Sequence, residues 1–561
     1  MREPGRRRFL RAALSSIASL TAAGCGSSSK GTGGVAARLL TALGQTSGRG
    51  YQGGFVGQQV DRGHRLRDLS TLPLPSSKKN VDVAIVGGGI AGLAAARALA
   101  QAGIEDYCLF ELEDEAGGNS RGGVVGGFAC PWGAHYVPVP GPYADELADL
   151  LVEYKLRTVE SGQVRYDEFS LCHSPQERLY IAGGWQEGLL PIRGQNAATF
   201  EAYRRFADLV QAATRPGAFT IPTIRCRWDE TLAALDGQSF AQWLDQQGVK
   251  DHALRWYLDY CCHDDYGAGL DQVSAWAGLH YFASRHGFAV PDAQGDFNGQ
   301  GDNDALLTWP EGNAWLARRL AAPHAERTIT GSVVLRIDEG RDEIALDVLD
   351  AASGSITRWN ARRAVICTPL FVAARLLVNP PEALQAAAQK LPHAPWLVAN
   401  VHIDEPLVEH RGGAPLSWDN VIYDAPGLGY VNAMNQSTLP YDGATVLSYY
   451  RSFGNDPRGG RQALLDGSWE QWTETILAEL SIPHPDLRDK VRHIGIMRYG
   501  HAMAIPAPGV RGSDWLAALR TPSGRIAFAH SDLSAYSVFE EAFHWGLQAG
   551  AATAAALRQA P

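Results

Sequence analysis

Three glycines and one acid define the first chemistry legible in this chain. The apolar run VDVAIV, residues 81–86, feeds directly into Gly87-Gly88-Gly89-Ile90-Ala91-Gly92. In a GxGxxG turn the first glycine permits the tight bend. The second lets the backbone approach a pyrophosphate, and the third lets the following helix pack close on the strand. Gly87, Gly89 and Gly92 hold those positions, and Ala96 extends the small face. The helix start then offers N–H groups and a positive dipole end to the phosphates. The next strand-like run, YCLFE, ends on Glu111, 19 residues past Gly92. An acid at that spacing takes a ribose hydroxyl. The combination predicts a bound dinucleotide.

A second group of residues could act on a substrate. Residues 255–270 set Trp256, Tyr257 and Tyr260 beside His263, Asp264, Asp265 and Tyr266. Carboxylates among aromatic faces suit a cationic amine. The competing reading is a helix end with a solvated polar cap. Two further stretches, 430–437 with Tyr430 and Asn432 and 498–506 with Tyr499 and His501, could reach the cofactor. Packing is the plainer reading for most of these residues, but His501 is kept as a candidate catalytic residue. No Ser/His/Asp triad or metal-ligand cluster stands out. The eight cysteines contain no Cys-x-x-Cys pair, so neither a zinc site nor a redox pair is indicated. Disulfide pairing stays open.

The elements that must position these residues alternate in type. Strand-type runs fall at 81–86, 107–111, 328–337, 344–349, 363–367, 397–403 and 525–529, with helical patterns at 91–102, 198–213 and 542–557. The mixture predicts α/β architecture, a Rossmann-like domain with an inserted α+β substrate domain. The 561 residues, 45% hydrophobic and 20% charged, suffice for several domain-sized units. The net charge of -10, with no basic run beyond the N-terminus, argues against nucleic-acid binding.

The N-terminus carries Arg6, Arg7 and Arg8, then Phe9 and Leu10, then a weakly apolar stretch ending at Ala22-Ala23-Gly24-Cys25. That layout is expected of a secretory signal of the twin-arginine type. The last four residues resemble a bacterial lipoprotein cleavage site. The expectation is export, to the periplasm or to a membrane through lipid at Cys25. Residues 26–50 read as a flexible linker, and residues 51–80 as a polar extension wrapping the main body. A soluble nicotinamide cofactor would diffuse away outside the cytoplasm, whereas a tightly held FAD would travel with the folded chain.

Further motifs carry a family resemblance. Gly117-Gly118 follow Glu111, then Asn119, with Arg121 two later. PWGAHYVPVP follows at 131–140. Near the C-terminus lie Phe528-Ala529-His530-Ser531-Asp532 and then Ser537-Val538-Phe539-Glu540. The sequence resembles the flavin amine oxidase superfamily. The resemblance implies non-covalent FAD, with Gly118 and Arg121 at its phosphates, although Asn119 stands where an arginine is usual. It implies Gly133, Ala134 and His135 beside the flavin ring, His135 being a candidate catalytic residue. It places Asp532 at a ribityl hydroxyl and Val334, in TITGSVVLRIDEG, at the adenine. Ser537 and Glu540 read as a capping box, so a helix should begin near Val538 with Phe539 and Glu540 in its first turn, facing the flavin. ARRAVICTPL at 361–370 and LTWPEGNAWLARRL at 307–320 fit the same plan, Asn313 replacing a glycine.

Many amine oxidases place a lysine near flavin N5. The corresponding stretch here, PWLVANVHIDEP, offers only Val398 or Asn400. That favours a dehydrogenase passing electrons to a quinone or cytochrome, without excluding oxygen. In motifs the chain is similar to bacterial spermidine dehydrogenase-like exported proteins. Some such proteins carry a haem relay; His64, the lone histidine of the extension, reads instead as a surface or core residue. Domains are expected at 1–25 (signal), 26–80 (linker and extension), 81–150, 321–380 and 506–561 (FAD domain), and 151–320 and 381–505 (substrate domain). The expected activity is oxidation of a small amine or polyamine. The rivals are a lipid or isoprenoid desaturase and a non-catalytic flavin-bound factor.

Overall fold

Val83, Ala84 and Ile85 are fully buried on the strand Ser77–Val86. A strand apolar on both faces needs cover on both sides, as in a parallel sheet. Such a sheet is what the computed structural model shows; it describes residues 50–67, 74–285, 287–291, 305–408, 413–438 and 443–559. The expected signal, Cys25 and nearly all of the 26–50 linker lie outside the described residues.

Ser77–Val86 pairs in parallel with Tyr107–Phe110 on one side and Ile356–Ile366 on the other. Beyond Tyr107–Phe110 lies Thr328–Ile329. Beyond Ile356–Ile366 lie Ile344–Asp350 and Ser332–Glu339. Ile356–Ile366 forks: its first part pairs antiparallel with Ile344–Asp350, and its last three residues take Ile526–Phe528 in parallel. Three separate stretches of chain thus build one α/β sheet. The run expected as one strand at 328–337 is two, because Gly331 turns the chain with φ +63. One face is covered by the helices Ile90–Gln101 and Phe539–Gln559. Small residues let these two helices touch backbone to backbone. A side chain at Gly546 would meet the Ala91 carbonyl at 2.2 Å, and one at Gly550 the Ala95 carbonyl at 2.6 Å.

A second sheet of eight strands holds the substrate side. Its order is Gln52–Phe55, Val491–Ala504, His393–Ile403, Thr445–Ser452, Tyr430–Asn432, Asp419–Ile422, Glu177–Ile181 and Gly184–Glu187. Alternation sorts its faces. Trp396 and Val398 face a layer that includes helices Ala197–Ala213, His252–Tyr266 and Ala275–Ala283. Leu397, Ala399 and Val401 face Trp469–Leu480. Helix His252–Tyr266 opens on Asp251, which accepts the Leu254 N–H, and stops at Gly267 with φ +73. Those two signals fix its last turn, and with it Asp264 and Asp265.

The seven described cysteines are free. Among the described residues no helix is long and apolar enough to cross a membrane, and no side-chain group could hold a metal ion.

Candidate active site

The two glycine turns meet. Gly87 bends with φ +103, and a side chain at Gly92 would strike the Gly87 carbonyl at 1.9 Å. The Gly117 N–H donates to the Gly88 carbonyl at 2.8 Å. A side chain at Gly118 (φ +57) would begin 3.1 Å from the Gly89 Cα. Gly89 has no side chain to cap the helix Ile90–Gln101, so its first N–H groups lack a side-chain acceptor. The Glu111 carboxylate accepts from Gly88 N–H at 2.7 Å and Glu113 N–H at 2.8 Å, while burial raises its pKa. Arg121 is buried, donates to the Gly118 carbonyl at 3.2 Å and lies 3.7 Å from Glu113. Glu111, Gly118 and Arg121 therefore gather on the turn that holds Gly87 and Gly89. Val334 lies on the neighbouring strand Ser332–Glu339, at a bulge, its side chain in the core. Ser332 ties that strand to Glu111 by an N–H donated to the Glu111 carbonyl at 2.8 Å.

Polar atoms without partners flank these turns. Thr368 Oγ1 and Trp132 Nε1 are buried and unpartnered, as is the Tyr499 hydroxyl, 3.0 Å from where a Gly133 side chain would begin. Thr368 packs against Gly87, and Trp132 against Gly123. An uncapped helix start, a buried acid and orphaned donors fit a polar, phosphate-bearing dinucleotide.

The Gly133-Ala134-His135 turn is fixed carbonyl by carbonyl. Tyr450 Oη donates to Gly133 O at 3.1 Å, the Asn313 N–H to Ala134 O at 3.0 Å, and Thr308 Oγ1 to His135 O at 2.7 Å. Asn313 Nδ2 donates to Tyr136 O at 2.9 Å. The asparagine that departs from the expected glycine thus adds, through its side chain, a second bond to the turn that glycine could not make. Asn400 supports it from below, donating to Pro131 O at 2.9 Å and accepting from Ser448 Oγ at 2.6 Å.

On this turn stands an aromatic box. His135 stacks on Tyr450 at 4.4 Å and lies 5.4 Å from Trp418 and 5.1 Å from Tyr136. Tyr136 meets Trp418 edge-on at 5.8 Å. Burial pushes the His135 imidazole down to about 4, so the ring is neutral at neutral pH. Two carboxylates close the box. Tyr136 Oη donates to Asp264 at 3.4 Å and Tyr260 Oη to Asp419 at 3.5 Å. Burial first, then the like charge of Asp265, push Asp264 up to about 7 against the pull of Arg285. Burial, then Asp264 and Glu177, push Asp419 well above the usual carboxylate range. Arg285 is committed to Asp265, in two contacts of 3.1 and 3.3 Å, and Tyr536 Oη donates to the same acid at 2.7 Å. The helix end at Asp264 is therefore not a solvated cap. Trp418, Asp419, Tyr450 and Arg285 had no motif to mark them; they converge only in three dimensions.

Several expected residues are placed differently. Asp532 is fully buried and its carboxylate is spent on the Leu370 N–H at 2.9 Å and His393 Nε2 at 3.1 Å. Burial opposes its charge, yet His530 and His393 hold it well below the usual carboxylate range. It braces the loop and does not present a free oxygen to a ribityl chain. The last helix starts at Phe539, and Ser537 Oγ accepts the Ala504 N–H at 2.9 Å, so the expected capping box with Glu540 gives way to a tie between the two sheets. Phe539 and Glu540 are both buried in the first turn, and burial pushes Glu540 up to about 7. His501 is exposed, its ring 4.5 Å from Phe371 and 6.2 Å from His393, and it is not among the rings around His135. A strand-paired Tyr430 and Asn432 serve packing: Tyr430 bonds His484 at 2.8 Å and Asn432 accepts from Thr445 at 2.5 Å. Tyr499 alone of that group reaches the Gly133 turn.

The profile of the flavin containing amine oxidoreductases matches residues 90–553. The chain belongs to this family. As a family member it is a flavin-dependent oxidoreductase. Among solved structures, putrescine oxidase bound to putrescine superposes with a TM-score of 0.61 at 20% identity, covering 86% of this chain and 100% of that one. Cyclohexylamine oxidase from Brevibacterium oxydans IH-35A gives 0.62 at 19%, covering 86% and 100%. A fatty acid isomerase from P. acnes gives 0.58 at 17%, covering 83% and 97%. At these identities the likeness is one of fold. Comparison with curated proteins gave no match.

Proposed function

We propose that this flavoprotein binds FAD non-covalently and dehydrogenates a small cationic amine at the His135–Asp264 cluster. The observation that carries the reading is the pair Asp264 and Asp419. Both are desolvated, neither is ion-paired among the described residues, and the nearby arginine is neutralised by Asp265. A site that keeps two carboxylates short of counter-charge gains by admitting a cation. Bound flavin supplies the acceptor for a hydride from the carbon next to nitrogen. The residues bind and orient. Asp264 and Asp419 draw in the ammonium, and Tyr136, Trp418 and Tyr450 offer ring faces to it. Neutral His135 adds a face without repelling it. The locked 133–136 turn keeps these rings in one geometry, which is what orientation of a C–H bond demands. A lipid substrate would call for an apolar tunnel, and two ionisable carboxylates count against it.

The same proposal covers the ends of the pathway. With Asn400 and Val398 on the strand below the turn, no ammonium group is available there, and electrons are proposed to pass to a quinone or cytochrome. Export through the twin-arginine start and anchoring through Cys25 complete the reading. The test is anaerobic mixing of holo-protein with monoamines, diamines and polyamines while the flavin absorption is followed. Bleaching by an amine, and re-oxidation faster by quinone than by oxygen, is the expected result. A flavin that no amine bleaches refutes it.

A further inference from the structure

The polar extension at residues 51–67 does more than wrap. We infer that it is a strap that retains the bound dinucleotide, with Arg62 as its positioning residue. The inference rests on the flavin-binding role of residues 111–121.

The strap is anchored at the substrate sheet. Gln52–Phe55 adds to the edge of Val491–Ala504 in parallel, and the Val56 N–H continues the ladder to Ile496 O at 2.9 Å. Gly57, with φ +77, then lets the chain cross the Trp132 ring; a side chain there would lie 2.6 Å from it. Beyond that crossing the strap grips the dinucleotide domain. The Gln59 N–H donates to Glu113 at 3.1 Å. Arg62 donates to the Leu112 carbonyl at 3.2 Å and to Asp114 at 2.6 Å. Glu113 in turn faces Arg121 at 3.7 Å. The strap therefore holds the outside of the loop whose inside is Glu111, bonded to Gly88.

The exposure of the Arg62 helix favours a retaining role for that part of the strap. The short helix Val60–His64 contains no buried residue, so it adds little to the core. Its polar contacts converge on three consecutive residues, Leu112, Glu113 and Asp114, while the half-buried Leu66 that follows supplies the apolar packing of this part of the strap. The Gly87–Gly89 and Gly117–Gly118 turns, proposed to hold the phosphates, touch. On this inference, release of the dinucleotide requires those turns to part. Parting them moves the 111–121 loop against a strap tied to the other sheet. The Arg62–Asp114 pair is partly exposed, at 22% and 67%, so salt weakens it.

The experiment dilutes full-length holo-protein into buffer and follows flavin release by the rise of free-flavin fluorescence, for wild type, Arg62→Ala, Arg62→Lys and a chain lacking residues 1–67. Loss of one exposed ion pair and one bond to a carbonyl is expected to speed release about three- to tenfold in Arg62→Ala. Arg62→Lys is expected to restore part of the retention. Added salt should speed release from wild type and leave Arg62→Ala unchanged. Thermal unfolding of the flavin-free Arg62→Ala protein should match wild type. Release at the wild-type rate from Arg62→Ala overturns the inference, and the truncated chain, if it folds, must release faster than either. Wild-type protein purified without flavin would overturn the cofactor reading itself, a separate and visible result.

Discussion

Asp264→Asn separates electrostatic recognition from packing. The amide keeps the size of the acid and can still accept from Tyr136, but it cannot carry charge. A hydrogen bond to a charged group is worth about 1.5–3 kcal/mol, or about 10- to 150-fold in a dissociation constant. Asp419 returns part of this. Its pKa is raised partly by the Asp264 charge, so in the variant it ionises more readily. The expected loss is therefore at the lower end, about tenfold in amine Kd. Anaerobic stopped-flow reduction over a range of amine concentrations gives Kd and the limiting rate separately, and only Kd should move. The sign with pH follows. Asp264 titrates at about 7, so below that it is neutral and the wild-type affinity for a protonated amine should fall as pH drops. Asn at 264 should flatten that limb. Stability moves the other way. A carboxyl raised in the folded state stabilises below its unfolded value and loses that stability as pH rises through about 7. Asp264→Asn should thus unfold at higher temperature than wild type above pH ~7 and match it below ~4. Unchanged Kd and an unchanged pH limb, at equal flavin content, would refute the electrostatic role.

Three further substitutions probe the frame. Gly92→Ala puts a methyl 1.9 Å from the Gly87 carbonyl; the turn must shift, at a cost of about 1–3 kcal/mol, and the purified protein should hold less flavin per chain by absorption. Arg285→Met strands the buried Asp265, which should cost about 3–5 kcal/mol in denaturant unfolding, and adding Asp265→Asn should recover much of it. Asn400→Ala leaves the Pro131 carbonyl and the Ser448 hydroxyl unpaired in the core, about 1–3 kcal/mol for each, measurable by the same unfolding.

The two glycine turns were legible because backbone geometry dictates residue type there. Only glycine tolerates the approach of Gly92 to Gly87 O, or of Gly118 to Gly89, so the spacing of glycines reports the turn directly. Glu111 was legible from its spacing, as the residue just after a buried strand, Tyr107–Phe110. The C-terminal motif misled in detail. Its spacing correctly located a strand, a loop and a helix, but the partners of Asp532 and Ser537 come from Leu370, His393 and Ala504, far away in sequence. A short polar side chain bonds whichever donor tertiary packing brings nearest, and local spacing carries no information about that donor.

The substrate half follows a different rule. Asp264 stood out in sequence among aromatics, yet a helix end in water would look the same. What makes it a site is Asp419 from a strand 155 positions on, Trp418 beside it, Tyr450 from the next strand pair and the His135–Tyr136 turn. Each alone is an ordinary core or surface residue. Their chemistry arises first from desolvation, with the like charge of Asp265 acting on Asp264 and that of Asp264 and Glu177 acting on Asp419. Arg285 shows how finely this is set. Arg285 is the cation that acts on Asp264, but Asp265 and Tyr536 take its hydrogen bonds. Were Arg285 released to Asp264, that acid would be paired internally, and the proposed cationic ligand would have nothing to neutralise there. On the proposed amine reading, Asp265 therefore matters to recognition as Asp264 does, because it keeps Arg285 occupied.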